Sequence, residues 1–148
     1  MLTDTLKPLY NRELVKLKQE LELYSSEENI WRVDKNILNS AGNLCLHLIG
    51  NLNTYIGAEL GGTSYVRNRP EEFSLKNIPR HELISKIEQT IEALNAALGS
   101  LTEDQLKGEY PQVVFDSKIS TEYFLLHLAM HLSYHLGQVN YHRRLLDN

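Results

Sequence analysis

Apolar residues recur every three or four positions through four long segments of the chain, and polar or glycine-containing stretches separate these segments. At 3.6 residues per turn, this spacing puts the apolar side chains on one face of a helix. The pattern therefore predicts four amphipathic helices. Their predicted ranges are 4–24, 39–60, 80–99 and 120–146. No segment favours a sheet.

Breaker and capping residues support the ends of these helices. Pro8 lies in the first turns of the first helix, where proline does least harm. Gly61 and Gly62 are a strong signal for the end of the second helix, and Ser120 offers a hydroxyl cap to the last. The helix ends are therefore marked by the residue types that physical chemistry favours there.

Two long connections, 61–79 and 100–118, join the predicted helices and are expected to be mostly loop. Their length argues against simple up-down-up-down wiring, and long loops are often functional. Four amphipathic helices without a sheet bury their apolar faces best against one another. We therefore predict an all-α fold, a single four-helix-bundle domain spanning 1–148 with long connections.

Composition narrows the classes of function. A net charge of −4 without a Lys/Arg cluster argues against nucleic acid or an anionic membrane as the main partner. The apolar runs are interrupted well before the ~20 residues that a membrane span needs, and the charged N-terminal segment does not resemble an export signal. The single Cys45 fits a reducing compartment and cannot build a thiolate cage. We therefore expect a cytoplasmic protein.

The last predicted helix contains the most informative side chains. In the run HLAMHLSYHLGQ, His127, His131 and His135 lie four residues apart and share one helix face. Apolar residues flank this row on both sides, which predicts that the imidazoles are buried in the middle of an apolar arc. A buried imidazole needs a partner. That partner is either a protein group, as for most single core histidines, or a metal ion.

One ion cannot bind all three histidines of this row. His127 and His135 are about 12 Å apart along the helix axis, whereas metal–nitrogen bonds are about 2.0–2.1 Å long. Spacing alone leaves two pairs open, His127 with His131 or His131 with His135. The Glu of the zinc-protease pattern HExxH is absent, so that activity is not supported.

A third ligand has to come from another helix, and His47 is the best candidate. It belongs to a polar stripe that borders the apolar face of the second helix. The other members of the stripe are Ser40, Asn43, Asn51 and Thr54. The stripe is either a solvated surface, which spacing alone favours, or one wall of a polar groove against the last helix. His81, at a helix start, and His142, near the chain end, are weaker candidates.

Two segments, NSAGNLCLHLIGNL and HLAMHLSYHLGQVNYHRRLL, resemble the DinB/YfiT superfamily of metal-dependent proteins. The segment GGTSYVRNRPEEF between them is similar to one uncharacterised branch of that superfamily. The resemblance covers most of the chain, from the second helix to the C-terminus. It implies a four-helix bundle whose metal site takes one His from the second helix and an HxxxH pair from the last helix, next to a Gly-Gln.

On this chain, the resemblance implies that His47, His131 and His135 bind one divalent transition metal. Gly137 and Gln138 are the Gly-Gln marker, and His127 becomes a neighbour of the site rather than a ligand. Neutral imidazoles suit zinc, nickel, copper or iron better than magnesium or calcium, and we expect zinc first and nickel second. Because relatives are often dimeric, the resemblance also implies a homodimer.

Relatives of known activity include metal-dependent hydrolases and transferases of bacterial low-molecular-weight thiols. The resemblance thus implies an enzyme for a small-molecule substrate, with a thiol as one class of cosubstrate. A metal with an open position would lower the pKa of a bound water or thiol. The alternative is a non-catalytic, stress-related or interaction protein whose metal only stabilises the helix bundle.

No residue is assigned a catalytic role at this point, because no carboxylate lies beside the three histidines in the sequence. The acidic residues that folding could bring close are expected to be solvated surface charges. They are Glu59, Glu71, Glu72 and Asp116. In the long connection, Arg67 and Arg69 could meet an anionic substrate, although exposed loop arginines are common.

Overall fold

The computed structural model describes residues 1–148 and is all-α, without a strand. The six α-helices are α1 Leu2–Leu23, α2 Ala41–Leu52, α3 Arg69–Ser74, α4 Arg80–Ser100, α5 Glu103–Lys107 and α6 Thr121–Leu146. A 3₁₀-helix at Glu27–Trp31 precedes α2, and a π-helix at Asn53–Ala58 extends it. The four predicted helices are confirmed, and the two short ones lie in connections that were predicted to be loop.

The four long helices pack as a bundle in which α1 and α2 are diagonal. Both α1 and α2 contact α4 and α6. Near the start of both helices, the Tyr10 hydroxyl of α1 donates to the Leu125 carbonyl of α6 at 2.5 Å. Near their ends, Arg143 of α6 donates to Glu20 of α1 at 2.7 Å. Helices α1 and α6 therefore run in the same direction.

Helices α2 and α4 form the second parallel pair. Asn53, just after α2, donates to the Thr90 hydroxyl in the middle of α4 at 2.8 Å, and the later Gly61 lies against the later Ala97. The contacts between α2 and α6 run the other way, because His47 meets His131 whereas the later Tyr55 meets the earlier Phe124. The bundle is therefore not wired up-down-up-down, in agreement with the long connections. None of the helices combines the length and the apolar composition that a membrane span requires.

Helix α2 is the most buried element of the bundle, since all twelve of its residues are buried. Besides α4 and α6, it contacts the 3₁₀-helix and α3. Gly42 allows the close approach of the 3₁₀-helix, because a Cβ at this position would lie 2.6 Å from the ring of Trp31. The Ser40 hydroxyl caps the helix by accepting from the Asn43 backbone N–H at 3.1 Å.

His142, a weak metal candidate from the sequence, lies in the core near the end of α6. Its Nδ1 is 2.7 Å from the Tyr24 hydroxyl and its Nε2 is 2.8 Å from the Arg32 carbonyl oxygen. Burial lowers the pKa of His142, against the smaller opposing effect of the bond to Arg32. A neutral ring satisfies both contacts, with Nε2–H donating to Arg32 and Nδ1 accepting from Tyr24.

We expect His142→Leu to destabilise the protein at pH 7.5 by about 1–3 kcal/mol, because Tyr24 and Arg32 lose their partner. The difference in the free energy of unfolding between the wild type and the variant should become smaller towards pH 5.5, by up to about 1.4 kcal/mol. The unfolded chain takes up a proton on His142 below about pH 6.5 and the folded chain resists it, so the wild type loses this stabilisation as the pH falls. Urea unfolding at both pH values measures the effect.

The exposed His81 is the matched control, and His81→Gln should change stability by less than about 0.5 kcal/mol. An identical loss for His142→Leu at pH 7.5 and pH 5.5 would show that His142 is not held neutral by burial.

Candidate metal centre

Three histidines converge where α2 crosses α6. Nε2 of His131 is 3.3 Å from Nε2 of His47 and 3.1 Å from Nε2 of His135. The ligand atoms of all three residues lie within 4.8 Å of one another. His47 comes from the middle of α2, whereas His131 and His135 are one turn apart on α6.

These separations match those of nitrogens bound to a common ion. Two nitrogens about 2.1 Å from a tetrahedral ion are roughly 3.4 Å apart. The two Nε2–Nε2 distances from His131 lie close to this value. The cluster contains only imidazole donors, which suits late transition metals rather than magnesium or calcium. The three histidines could therefore hold one metal ion.

The bonds behind two of the rings direct their lone pairs into the cluster. Nδ1 of His47 lies 3.0 Å from a carboxylate oxygen of Glu72, and Nδ1 of His135 lies 2.7 Å from the amide oxygen of Gln138. These oxygens only accept, so each Nδ1 carries the proton. Each Nε2 is then left as a lone pair, which is the form that binds a metal.

Glu72 is itself held by a charged partner. Arg67 donates to both oxygens of this carboxylate, with Nε at 2.8 Å and Nη2 at 3.0 Å. Glu72 is buried at 5% exposure, and a buried carboxylate requires such a partner. The ion pair keeps the carboxylate fixed against His47, so the orientation of this ring depends on Arg67 as well.

The third ring, His131, is in a different environment. Its Nδ1 is buried without a hydrogen-bond partner. Burial, reinforced by His135 and His47, lowers the pKa of His131 to about 4. Burial also lowers the pKa of His47, although the bond to Glu72 opposes this shift. His47 and His131 are therefore neutral near pH 7, as metal ligation requires.

The structure corrects the predicted position of the row on α6. His127 is exposed, and His131 and His135 are only half-buried, so the row does not lie at the centre of the buried face. The buried stripe runs instead through Leu128 and Leu132. A second, exposed apolar stripe lies on the other side of the histidines. It consists of Tyr123, Leu126, Met130, Tyr134, Tyr141 and Leu145.

His47 is buried, contrary to the solvated surface that spacing alone favoured. The connection 61–79 folds over the polar stripe of α2, and α3 lies directly against it. Asn43 of that stripe donates to the carbonyl oxygens of Glu72 and Leu75, both at 2.9 Å. The Phe73 ring packs on His47 with centroids 5.1 Å apart. The stripe is thus one wall of an interior polar layer.

Among the candidate acids, only Glu72 reaches the cluster. Glu71 and Asp116 are exposed, and Glu59 accepts from Gln112 elsewhere. The burial of Glu72 was missed, because the sequence gives no sign that α3 covers α2. His127 packs on Phe115, with ring centroids 4.9 Å apart, outside the cluster.

A family model described as "Protein of unknown function (DUF1572)" matches residues 9–148. The chain belongs to the DUF1572 family. A crystal structure of a conserved protein from Enterococcus faecalis resembles this DUF1572 protein with a TM-score of 0.74 at 17% identity. The match covers 97% of this chain and 96% of that chain, and at this identity it shows the fold alone. The search of curated proteins finds no significant match.

Gly50 is a sensitive position of the DUF1572 protein, because a Cβ there would lie 1.9 Å from a carboxylate oxygen of Glu72. Gly50→Ala should therefore displace Glu72 from His47 and cost about 1–3 kcal/mol by overpacking. Urea unfolding measures the cost, and the His47 ring ¹⁵N chemical shifts report the loss of the carboxylate contact.

Gly137→Ala is the matched control, since a Cβ at this exposed helical position meets nothing within 4 Å. This change should be neutral or stabilise the protein by up to about 1 kcal/mol. Equal effects of the two substitutions would mean that the side chain of Glu72 does not depend on Gly50.

Proposed function

We propose that the protein is a DinB-like, metal-dependent enzyme that binds one divalent ion through Nε2 of His47, His131 and His135. The observation that supports this most is the convergence of the three histidines, since Nε2 of His131 lies at separations that fit a shared ion from Nε2 of His47 and from Nε2 of His135. The proton on Nδ1 of His47 and of His135 is already fixed by Glu72 and Gln138. Such bonds orient metal ligands and raise their basicity.

Zinc is the first candidate for the ion and nickel the second. Both accept neutral imidazole, and availability as well as affinity decides between them. Three neutral ligands leave the charge of a divalent ion uncompensated, since the only carboxylate nearby, Glu72, is paired with Arg67. A residual positive charge favours an anionic or ionisable fourth ligand.

The number of protein donors favours an enzyme over a structural metal. Structural zinc sites are generally closed by four protein ligands, whereas catalytic sites keep a position open. The cluster here has three. Cys45, the only thiol, is buried in the core and burial raises its pKa to about 12. It is therefore a poor fourth ligand.

The family resemblance implies two reaction classes for a small-molecule substrate: hydrolysis, and transfer of a low-molecular-weight thiol to an electrophile. A divalent ion with an open position supplies a Lewis acid that lowers the pKa of a coordinated water or thiol. The chain would hold the ion in part through His47, whose ring Glu72 orients, and would admit the substrate beside His135. Tyr134, an exposed ring whose centroid is 5.3 Å from that of His135, lies at this entrance.

The second candidate is a non-catalytic, stress-related or interaction protein with a structural metal. A screen of the zinc- and nickel-loaded protein for ester hydrolysis and thiol transfer separates the two. Turnover that is lost in His131→Ala would support the enzyme, whereas a loaded but inactive protein with a closed coordination sphere would support the alternative. The homodimer and the cytoplasmic location stay predictions of the sequence.

We expect His47→Ala, His131→Ala and His135→Ala each to lower zinc and nickel content from about one ion per chain to a small fraction of it. Two imidazoles rarely make a tight site, and each substitution leaves only two. Metal analysis after dialysis measures the content, and circular dichroism should show that the helices remain.

His127→Ala is the matched control, because His127 lies on the same helix face but outside the cluster. It should retain the metal content of the wild type. Loss of the ion from folded His127→Ala, together with retention in His47→Ala, would contradict the proposed ligand set.

A further inference from the structure

A groove of about 580 Å³ adjoins the candidate metal centre. One of its walls is the C-terminal half of α6, and the other is the segment 36–39 that leads into α2. His135 lines the groove and is also a member of the three-histidine cluster. The groove therefore begins at the cluster and extends away from it along α6. Its volume falls in the range of small-molecule sites.

No charged side chain lines this groove. Six of its eleven lining residues are hydrophobic, among them Leu38, Leu44 and Tyr141. The polar lining groups include the side-chain amides of Asn36, Asn39 and Gln138. The guanidinium of Arg144 lies 4.9 Å from the centroid of the Tyr141 ring without itself lining the groove. An ion entering the groove would lose water without gaining a charged partner.

The segment 36–39, which forms the wall opposite α6, is held by hydrogen bonds on both sides. The Arg32 carbonyl accepts from His142 of α6, and Ser40 caps α2. Between them, Asp34 and Ile37 exchange two backbone hydrogen bonds of 3.1 and 2.7 Å across a tight turn. Lys35 in this turn has φ +48°. Leu38, which follows the turn, is 77% exposed although it lines the groove.

We propose that this groove binds the organic part of the substrate, and that this part is uncharged and largely apolar, with the reacting group at the His135 end. The proposal rests on the proposed function for the position of the reaction, but the groove itself is formed without an ion. An apolar molecule would cover Leu38 and Tyr141, and the amides would hydrogen-bond its neutral polar groups.

A small molecule fits this surface better than a second copy of the chain. The groove is concave, and one end of it reaches His135, a member of the three-histidine cluster. Ligand sites typically combine apolar lining with a few polar groups that fix orientation. An interface between copies would instead use the wider exposed stripe of α6, of which Tyr123, Leu126 and Met130 do not line the groove.

Three probes with the same ring system and different charge test the proposal: 2-naphthalenemethanol, 2-naphthoate and 2-naphthylmethylammonium. Titrations of the metal-free protein, followed by ¹H–¹⁵N NMR at pH 7.5, should give a Kd for the alcohol at least about 10-fold lower than for either ion. Leu38→Glu should weaken binding of the alcohol by at least about 10-fold. Val113→Glu, at a 62% exposed position outside the groove, is the matched control and should leave it unchanged.

The metal-loaded protein tests whether the bound molecule lies beside the three-histidine cluster. The paramagnetic ion Co(II) should broaden the proton signals of bound 2-naphthalenemethanol relative to Zn(II). Equal line widths would show that the molecule binds away from the cluster, which would overturn this part of the proposal. Equal affinity for the three probes, or an unchanged affinity in Leu38→Glu, would overturn the groove as a site for neutral molecules. If the protein is a dimer that Leu38→Glu converts to a monomer, and the alcohol shows no saturable binding, the groove would be a subunit interface and the proposal would be overturned.

If the proposed metal-dependent function is wrong but the groove is a binding site, the experiments give a different result. The metal-free protein would still bind 2-naphthalenemethanol and the Leu38→Glu variant would not, while no divalent ion would bind to the three histidines. This outcome would support the groove and remove the metal-dependent reaction.

Discussion

Helix α2 is buried around its whole circumference, so each polar side chain on it needs a partner inside the protein. Burying an unpartnered polar group costs on the order of 1–3 kcal/mol. Asn43 meets this demand through the Glu72 and Leu75 carbonyls, and His47 meets it through the Glu72 carboxylate, whereas Oδ1 of Asn51 has no partner. The polar layer of α2 therefore determines where the connection 61–79 must lie. Gly50 allows that approach, since only a hydrogen fits between α2 and Glu72.

The same layer prepares the candidate metal centre. Glu72 fixes the proton of His47 on Nδ1, and Gln138 does the same for His135. Of these two contacts, the one between His47 and Glu72 also joins α2 to α3, whereas the one between His135 and Gln138 lies within α6. His131 lacks such a partner at Nδ1 and is kept neutral mainly by burial, which lowers its pKa to about 4. A metal ion would satisfy Nε2 of all three rings at once.

The sequence predicted the four long helices because each has several turns of apolar periodicity. The short helices α3 and α5 contain only six and five residues, too few for a full stripe. The sequence signals that could have revealed these two helices are their N-terminal caps. These are Asn68 before Arg69-Pro70 for α3, and a capping box from Thr102 to Gln105 for α5. Helix propensity alone does not distinguish such a short helix from a loop.

Burial at the site was harder to predict than which histidines would lie together. The histidine row of α6 lies between a buried and an exposed apolar stripe, and a helical wheel cannot tell these two apart. Likewise, His47 and Glu72 are buried only because a distant segment covers α2. The family resemblance selected His47, His131 and His135, and these are the three that the structure brings together. Their binding of a metal stays a proposal.

X-ray absorption spectroscopy of the zinc-loaded protein tests the proposed coordination most directly, since it counts the imidazoles bound to the ion. We expect three imidazole nitrogens at about 2.0–2.1 Å, one or more further oxygen or nitrogen atoms that do not come from imidazole, and no sulfur. Fewer than three imidazoles, or a sulfur atom at about 2.3 Å from the ion, would contradict the proposed centre.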